Sequence, residues 1–414
     1  MKEVFNNKSE AKSIYEWSTV LFVVGYVVFL ISISLYSNIE VAKMEEAGIT
    51  IVGRILNYSK YLAFIICIIA SFGKMLKRNI IVAFSLVAAF LAVEYLSSGN
   101  DTMFLYIFLF FGASLCKSKT IIKTCCICQG ILLFATVGLS QLGIIEDRIF
   151  LDGGRNRHGL GFTWTTTGAI LFLHWSLQYI YLRGEKIKLI ELALMVAVTF
   201  WFYVMTDASM TFYLSIAFIA YFAIVKIETN KFLALRRKPF QIIAMLMPVL
   251  AAGFSIVAQW LYNGSNKFWI NADSFTHGRL KLGHNGILEY GITLLGQPMK
   301  WVGFTARKSI GEYNYIDCSY LQIAIEYGLL FLILALFVYT VIIYRGILSK
   351  DYYIVSIVCF LLIFAMTEPR LMNLMYTPFP LLVFSMSNES EETTVRKDKN
   401  VIQNIYRKKE VSDK

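Results

Sequence analysis

Charged residues are scarce in this chain, only 16% of its 414 positions, where an ordinary soluble domain carries about a quarter. That scarcity excludes a conventional water-exposed surface. The sequence has no Gly-rich phosphate loop, no Asp-x-Asp pair and no Gly-x-Ser-x-Gly elbow. Nucleotide-driven chemistry, metal-bound nucleotide sugars and elbow-serine hydrolysis therefore lack their usual signals. The seven cysteines are Cys67, Cys116, Cys125, Cys126, Cys128, Cys318 and Cys359, with no His or second Cys pair to complete a zinc pattern around Cys125-Cys126-x-Cys128. Most lie inside or at the inner end of apolar runs, so they read as small core residues, and no disulfide framework is implied. The first apolar run, Trp17 to Tyr36, is followed by no small-residue cleavage site and reads as a retained span. There is also no internal repeat of the kind many transporters carry.

What is abundant is hydrophobicity: 57% of residues, 15% aromatic, and a mean hydropathy of +0.59. Apolar runs of roughly 17 to 25 residues recur along the chain, each long enough to cross about 30 Å of hydrocarbon as a helix. This predicts an all-α, polytopic integral membrane protein with about twelve spans. In the first half they are 17–36, 57–72, 80–96, 102–115, 121–142 and 162–182. In the second half they are 189–205, 210–225, 240–261, 319–344, 352–366 and 372–386. The fourth and last are short, which leaves the count at eleven or twelve.

Cytoplasmic connections collect Lys and Arg. With both ends inside, the N-terminus 1–16, the inner connections and the basic tail 387–414 together hold 26 of the 39 Lys and Arg. The net charge of +11 is then mainly a topology signal and gives no reason to expect nucleic acid. The domain 17–386 would be membrane-embedded, with two extracytoplasmic loops, 145–161 and 262–318.

Those loops carry most of the chemistry. The first places Arg148, Arg155, Arg157 and His158 on the outer face, against the positive-inside tendency. Guanidinium groups bind phosphate oxygens in pairs and stay charged, so an anionic ligand is one reason for them. Pairing with Glu146, Asp147 and Asp152 on a solvated loop is the other. In the second loop, residues 276–296 alternate polar and apolar positions with partly helical spacing. This predicts a helix along the membrane surface holding Arg279, Lys281 and His284 at headgroup depth. Arg307 follows, and the loop ends at Asp317. Ser319, Gln322 and Glu326 then fall on one helical face, as do Thr163, Thr167, His174 and Gln178 on the sixth span. Such stripes face protein or water, either for function or for helix-to-helix hydrogen bonds.

With these residues in place the chain resembles the Wzy-type polysaccharide polymerases and the related O-antigen ligases. The resemblance covers most of the chain as architecture. Locally it rests on Arg157-His-Gly-Leu-Gly-Phe entering a span, His277-Gly-Arg-Leu-Lys-Leu in the large outer loop, and Asp317-Cys-Ser-Tyr-Leu-Gln with Glu326-Tyr-Gly-Leu-Leu opening the next span. There are departures. Phe162 is followed by Thr-Trp-Thr where members often continue to Pro-Asn, and Asp317-Cys318 stands where ligases usually begin with His-Asn, which favours a polymerase. Arg148 and Gly159 match an arginine and glycine separated by ten residues in some polymerases.

The resemblance implies transfer of a growing glycan from a polyprenyl diphosphate carrier to a hydroxyl of the next lipid-linked repeat unit. The place would be the outer face of a bacterial cell membrane, in capsule or O-antigen assembly, with no metal and no cofactor. Arg157 and Arg279 would bind the diphosphate, with Arg148, Arg155, Arg307 and Arg370 as further cations and His158, Gln322 and Glu326 toward the glycan. Asp317 or His284 would be the base, Asp317 by preference because it occupies the ligase base position. The implied partners are the lipid-linked oligosaccharide, membrane lipids, and a chain-length regulator and flippase of the same pathway. The alternatives are ligase-like transfer to another acceptor, and a flippase or transporter of the lipid-linked glycan.

Overall fold

Long apolar stretches with few helix breakers adopt the conformation that closes every backbone hydrogen bond within one segment, and the structure follows that rule. The computed structural model describes residues 2–37, 39, 50–72, 78–99, 101–114, 116–152, 155–228, 232–303 and 313–385. Arg307, the side chain of Arg155 and the tail 387–414 lie outside that description. The chain is mostly helical: α1 (Lys2–Ser37), α2 (Thr50–Phe72), α3 (Arg78–Ser98), α4 (Asp101–Ala113), α5 (Ser118–Gln141), α6 (Thr167–Arg183), α7 (Leu189–Thr206), α8 (Ser209–Ile227) and α9 (Lys238–Trp260). The large loop forms α10 (Lys267–Phe275) and α11 (Arg279–Tyr290), and α12 (Ser319–Glu326), α13 (Leu329–Leu348) and α14 (Tyr352–Phe364) follow.

Among the described residues, six helices are long and apolar enough to cross a membrane: Glu16–Tyr36 within α1, then α5, α7, α8, α9 and α13. Shorter apolar stretches lie in α2, α3, α4 and α14. Helix α4 has 13 residues and covers only about 20 Å, short of a full crossing. Ile242, Ile243, Leu246, Val249, Leu250 and Phe254 stand exposed along α9, a face that lipid can cover without loss. Helix α6 is the opposite case, buried nearly all round with His174 and Gln178 inside.

The all-α expectation needs one addition. In the segment expected as the first outer loop, and as plain loop, β1 (Ile149–Asp152) pairs antiparallel with β2 (Arg155–His158) in the register Phe150 opposite Arg157. Gly159 N donates to Arg148 O at 2.8 Å, so the arginine and glycine of the noted spacing are neighbours closing this hairpin.

Two expected spans are corrected. The span 319–344 is two helices, broken at Gly328, whose φ of +88° only glycine adopts easily. The break is stabilised from outside: Leu329 N donates to Thr293 O at 2.9 Å, Leu330 N to Leu294 O at 3.1 Å, and Gln297 N to Glu326 O at 3.0 Å. The segment 293–297 thus takes over the backbone groups that the break frees.

The expected last span, 372–386, is not a continuous helix over its described part but a run of turns, a 3-10 turn at Phe379–Leu381 and a short helical end. Pro378 and Pro380 explain why it breaks. Its carbonyls are satisfied by side chains: Tyr26 Oη donates to Leu374 O at 3.2 Å, Tyr339 Oη to Leu371 O at 2.6 Å, and Gln129 Nε2 to Tyr376 O at 2.8 Å and also to Met375 O. Irregular backbone at membrane depth survives only when enclosed by protein in this way. The segment joins two apolar clusters. Leu374 and Leu381 pack with α1, α2, α4 and α5, while Met375, Tyr376 and Phe379 pack with the second-half helices.

Candidate functional site

At one end of the second-half helices, five connections converge on a cavity of about 600 Å³, within the size range of small-ligand sites. They are the β1–β2 hairpin with the following turn, the α7–α8 turn, the turn into α11, the segment before α12 and the segment after α14.

Arg157 reaches the cavity from β2. Its Nε donates to Thr206 O at 3.0 Å and its guanidinium lies 6.0 Å from the Trp164 ring, which in turn packs edge-on against Phe150 at 5.5 Å. The strand pairing therefore aims one cation and two aromatic walls together.

Arg279 opens α11. The preceding turn holds His277 at a φ of +56°, a conformation uncommon for a non-glycine residue, and His277 also lines the cavity. Arg279 Nε donates to Thr367 O and Nη1 to Thr276 O, each at 3.2 Å. The same guanidinium stands 3.5 Å from Asp317 Oδ2 through Nε and 3.7 Å from Glu368 Oε1 through Nη2. Helix α11 is pressed against α9 at Gly283, where an added Cβ would fall 1.6 Å from Gln259 Oε1. That contact fixes where Arg279 begins.

Arg370 completes the cationic wall, its guanidinium 4.6 Å over the Tyr376 ring. Three guanidinium groups, Arg157, Arg279 and Arg370, thus line one cavity with the carboxylates of Asp207, Asp317 and Glu368. Burial pushes the Glu368 carboxyl up to about 7, the Asp317 charge adds to the rise, and Arg279 and Arg370 oppose it. Asp317 is likewise raised by burial against the pull of the same two arginines.

Comparison with family models, curated proteins and solved structures finds no match for this chain. The reading of the cavity therefore depends on its own geometry.

Of the residues singled out from the sequence, Arg157, Arg279, Asp317 and Arg370 meet at the cavity. Gln322 and Glu326 stand behind it: Gln322 hydrogen-bonds Tyr315, and Glu326 Oε2 accepts from Trp301 Nε1 at 2.7 Å. Tyr315 and Trp301 are wall residues, so the polar stripe of α12 positions aromatic rings.

Three other candidates, His284, His158 and Arg148, lie away from the cavity wall. His284 does not line the cavity; its ring packs edge-on to Tyr262 and its Nδ1 is 3.1 Å from Gln259 O. Five residues along a helix turn it about 140° from Arg279. His158 Nδ1 is 2.7 Å from Asp147 Oδ2, and Asp147 Oδ1 accepts from Leu160 N at 2.7 Å, so this pair ties the base of the hairpin. Arg148 is paired loosely with Glu146 at 3.7 Å and is not a wall residue.

Sequence reasoning missed Glu368 and Asp207. Each sits in a short turn between two apolar runs, Thr-Glu-Pro-Arg and Thr-Asp-Ala-Ser. An acid beside an arginine and a proline between two apolar runs was the available signal for Glu368.

Proposed function

We propose that the chain is a glycan polymerase of the cell membrane, acting on lipid-linked repeat units. It transfers the growing glycan from a polyprenyl diphosphate to a hydroxyl of the next unit in capsule or O-antigen assembly. The observation that carries the reading is the convergence of Arg157, Arg279 and Arg370 on one cavity that also holds Asp317 and a set of aromatic rings. Arginine forks suit a diphosphate, and aromatic faces suit sugar rings.

In this mechanism the acceptor hydroxyl oxygen attacks the anomeric carbon and the bond from that carbon to the diphosphate oxygen breaks. The hydroxyl proton passes to the Asp317 carboxylate, and the carrier leaves as the diphosphate. Negative charge grows on the leaving oxygen, where fixed guanidinium groups act most strongly. Asp317 is preferred over His284 as base because it lies on the cavity wall beside Arg279. Topologically, the proposal keeps twelve crossings, with the broken segment 371–385 as the last, both termini cytoplasmic, and the cavity opening to the outer face.

Inactivating the gene in its host tests this. A polymerase leaves single repeat units on carrier or product. Units trapped facing the cytoplasm would instead identify a flippase, and long unattached polymers a ligase.

A further inference from the structure

Among the three cavity carboxylates, Glu368 is the one that is buried, with 8% of its side chain exposed against 24% for Asp317. Its backbone is pinned on both sides. Ser319 Oγ donates to Glu368 O and accepts from Leu371 N at 3.1 Å, Ser319 N donates to Ala365 O at 2.9 Å, and Arg370 N donates to Glu368 O at 3.0 Å. The start of α12 and the end of α14 are thereby locked together, which holds the Glu368 backbone in place at the cavity. One guanidinium, that of Arg279, lies between Glu368 and Asp317, at distances longer than those of tight charge-assisted bonds.

The groups facing Glu368 are Arg279 from α11, Asp317 from the segment before α12, and Arg370 on its own segment. The phenols of Tyr313 and Tyr315 also face it, and burial raises both further, so they stay neutral near pH 7. Arg157, Asp207 and His277 line the same cavity. With every carboxylate ionised, the three guanidinium groups are matched one for one. A bound dianion would then leave excess negative charge in a partly enclosed space, and a proton on the most buried carboxylate removes part of it.

We infer that binding of the diphosphate dianion is coupled to proton uptake by Glu368, which leaves Asp317 ionised beside Arg279 as the base. This rests on the diphosphate reading of the cavity and adds a linkage that the reading does not require. Protonation of Glu368 grows as pH falls through about 7, and the neutral acid is the form that tolerates the dianion. Affinity therefore strengthens toward acid and weakens by up to about tenfold per pH unit on the alkaline side.

The test is calorimetric titration of the purified full chain with a dimethyl diphosphate diester, which stays a dianion across this range. It is run at about pH 7.5 in two buffers of unlike ionisation enthalpy, so that bound protons are counted. The wild type is expected to take up protons on binding. Glu368→Gln should bind without uptake and with a flat pH dependence, and Glu368→Asp should keep both. Uptake undiminished in Glu368→Gln, or absent in the wild type, overturns the linkage and leaves the diphosphate site standing. No binding by the folded wild type overturns both.

Discussion

Arg279 makes more of the site's contacts than any other side chain described above, touching Asp317, Glu368, Thr367 and Thr276 from one guanidinium. Replacing it with alanine removes a cation and leaves two carboxylates facing each other. The expected outcome is a loss of about 100- to 1000-fold in polymerisation rate. Arg279→Lys should recover only a small part, since an ammonium cannot span the same acceptors. Asp317→Asn should cost about 100- to 10,000-fold, the range of a lost general base. His284→Ala, removing a ring that packs on Tyr262 and not on the cavity, should stay within a few fold. Measured rates that reversed those two results would contradict the assignment of the base. Arg157, Arg279 and Asp317 were legible in the sequence because a charge in a connection between the apolar runs of such a chain stands out against its surroundings. Glu368 was not. Its importance comes from burial and from an arginine 89 positions earlier, neither of which spacing along the chain encodes.

Among the elements, the regular helices were the legible part, because a long apolar run has few ways to satisfy its backbone in lipid. The breaks were not legible, because their partners are tertiary. The last segment depends on Gln129, Tyr26 and Tyr339, drawn from α5, α1 and α13. Gln129→Leu keeps the volume and removes the donor shared by the Met375 and Tyr376 carbonyls, leaving only Gln178 Nε2 at 3.4 Å from the latter, so it should destabilise the protein by about 1 to 3 kcal/mol, read as a lower unfolding midpoint in detergent. Gly296 supports the other break. Its φ is +85° and an added Cβ would lie 2.3 Å from Glu326 O, so Gly296→Ala combines a strained backbone with a direct overlap. It should lower stability and, by shifting α12, lower activity more than Gln129→Leu does at equal stability. Equal activity in the two variants at matched stability would show that the break does not position the site.

For the whole molecule, the account joins a helical bundle to a cavity built by connections at one end. If those connections face outward, a cysteine placed at exposed Phe268 in α10 should react with a membrane-impermeant maleimide in intact cells. One placed at exposed Lys188, in the connection between α6 and α7, should react only after the membrane is opened. The reverse pattern would invert the topology and remove the proposed access to outer-face substrate. The most direct measurement of the central claim supplies the purified protein with synthetic polyprenyl-diphosphate repeat units and no nucleotide, and follows glycan length. The account predicts a ladder of lengthened chains from the wild type and none from Arg279→Ala or Asp317→Asn. Wild-type protein that is folded, binds its matching substrate and still forms no chain longer than one unit would contradict it.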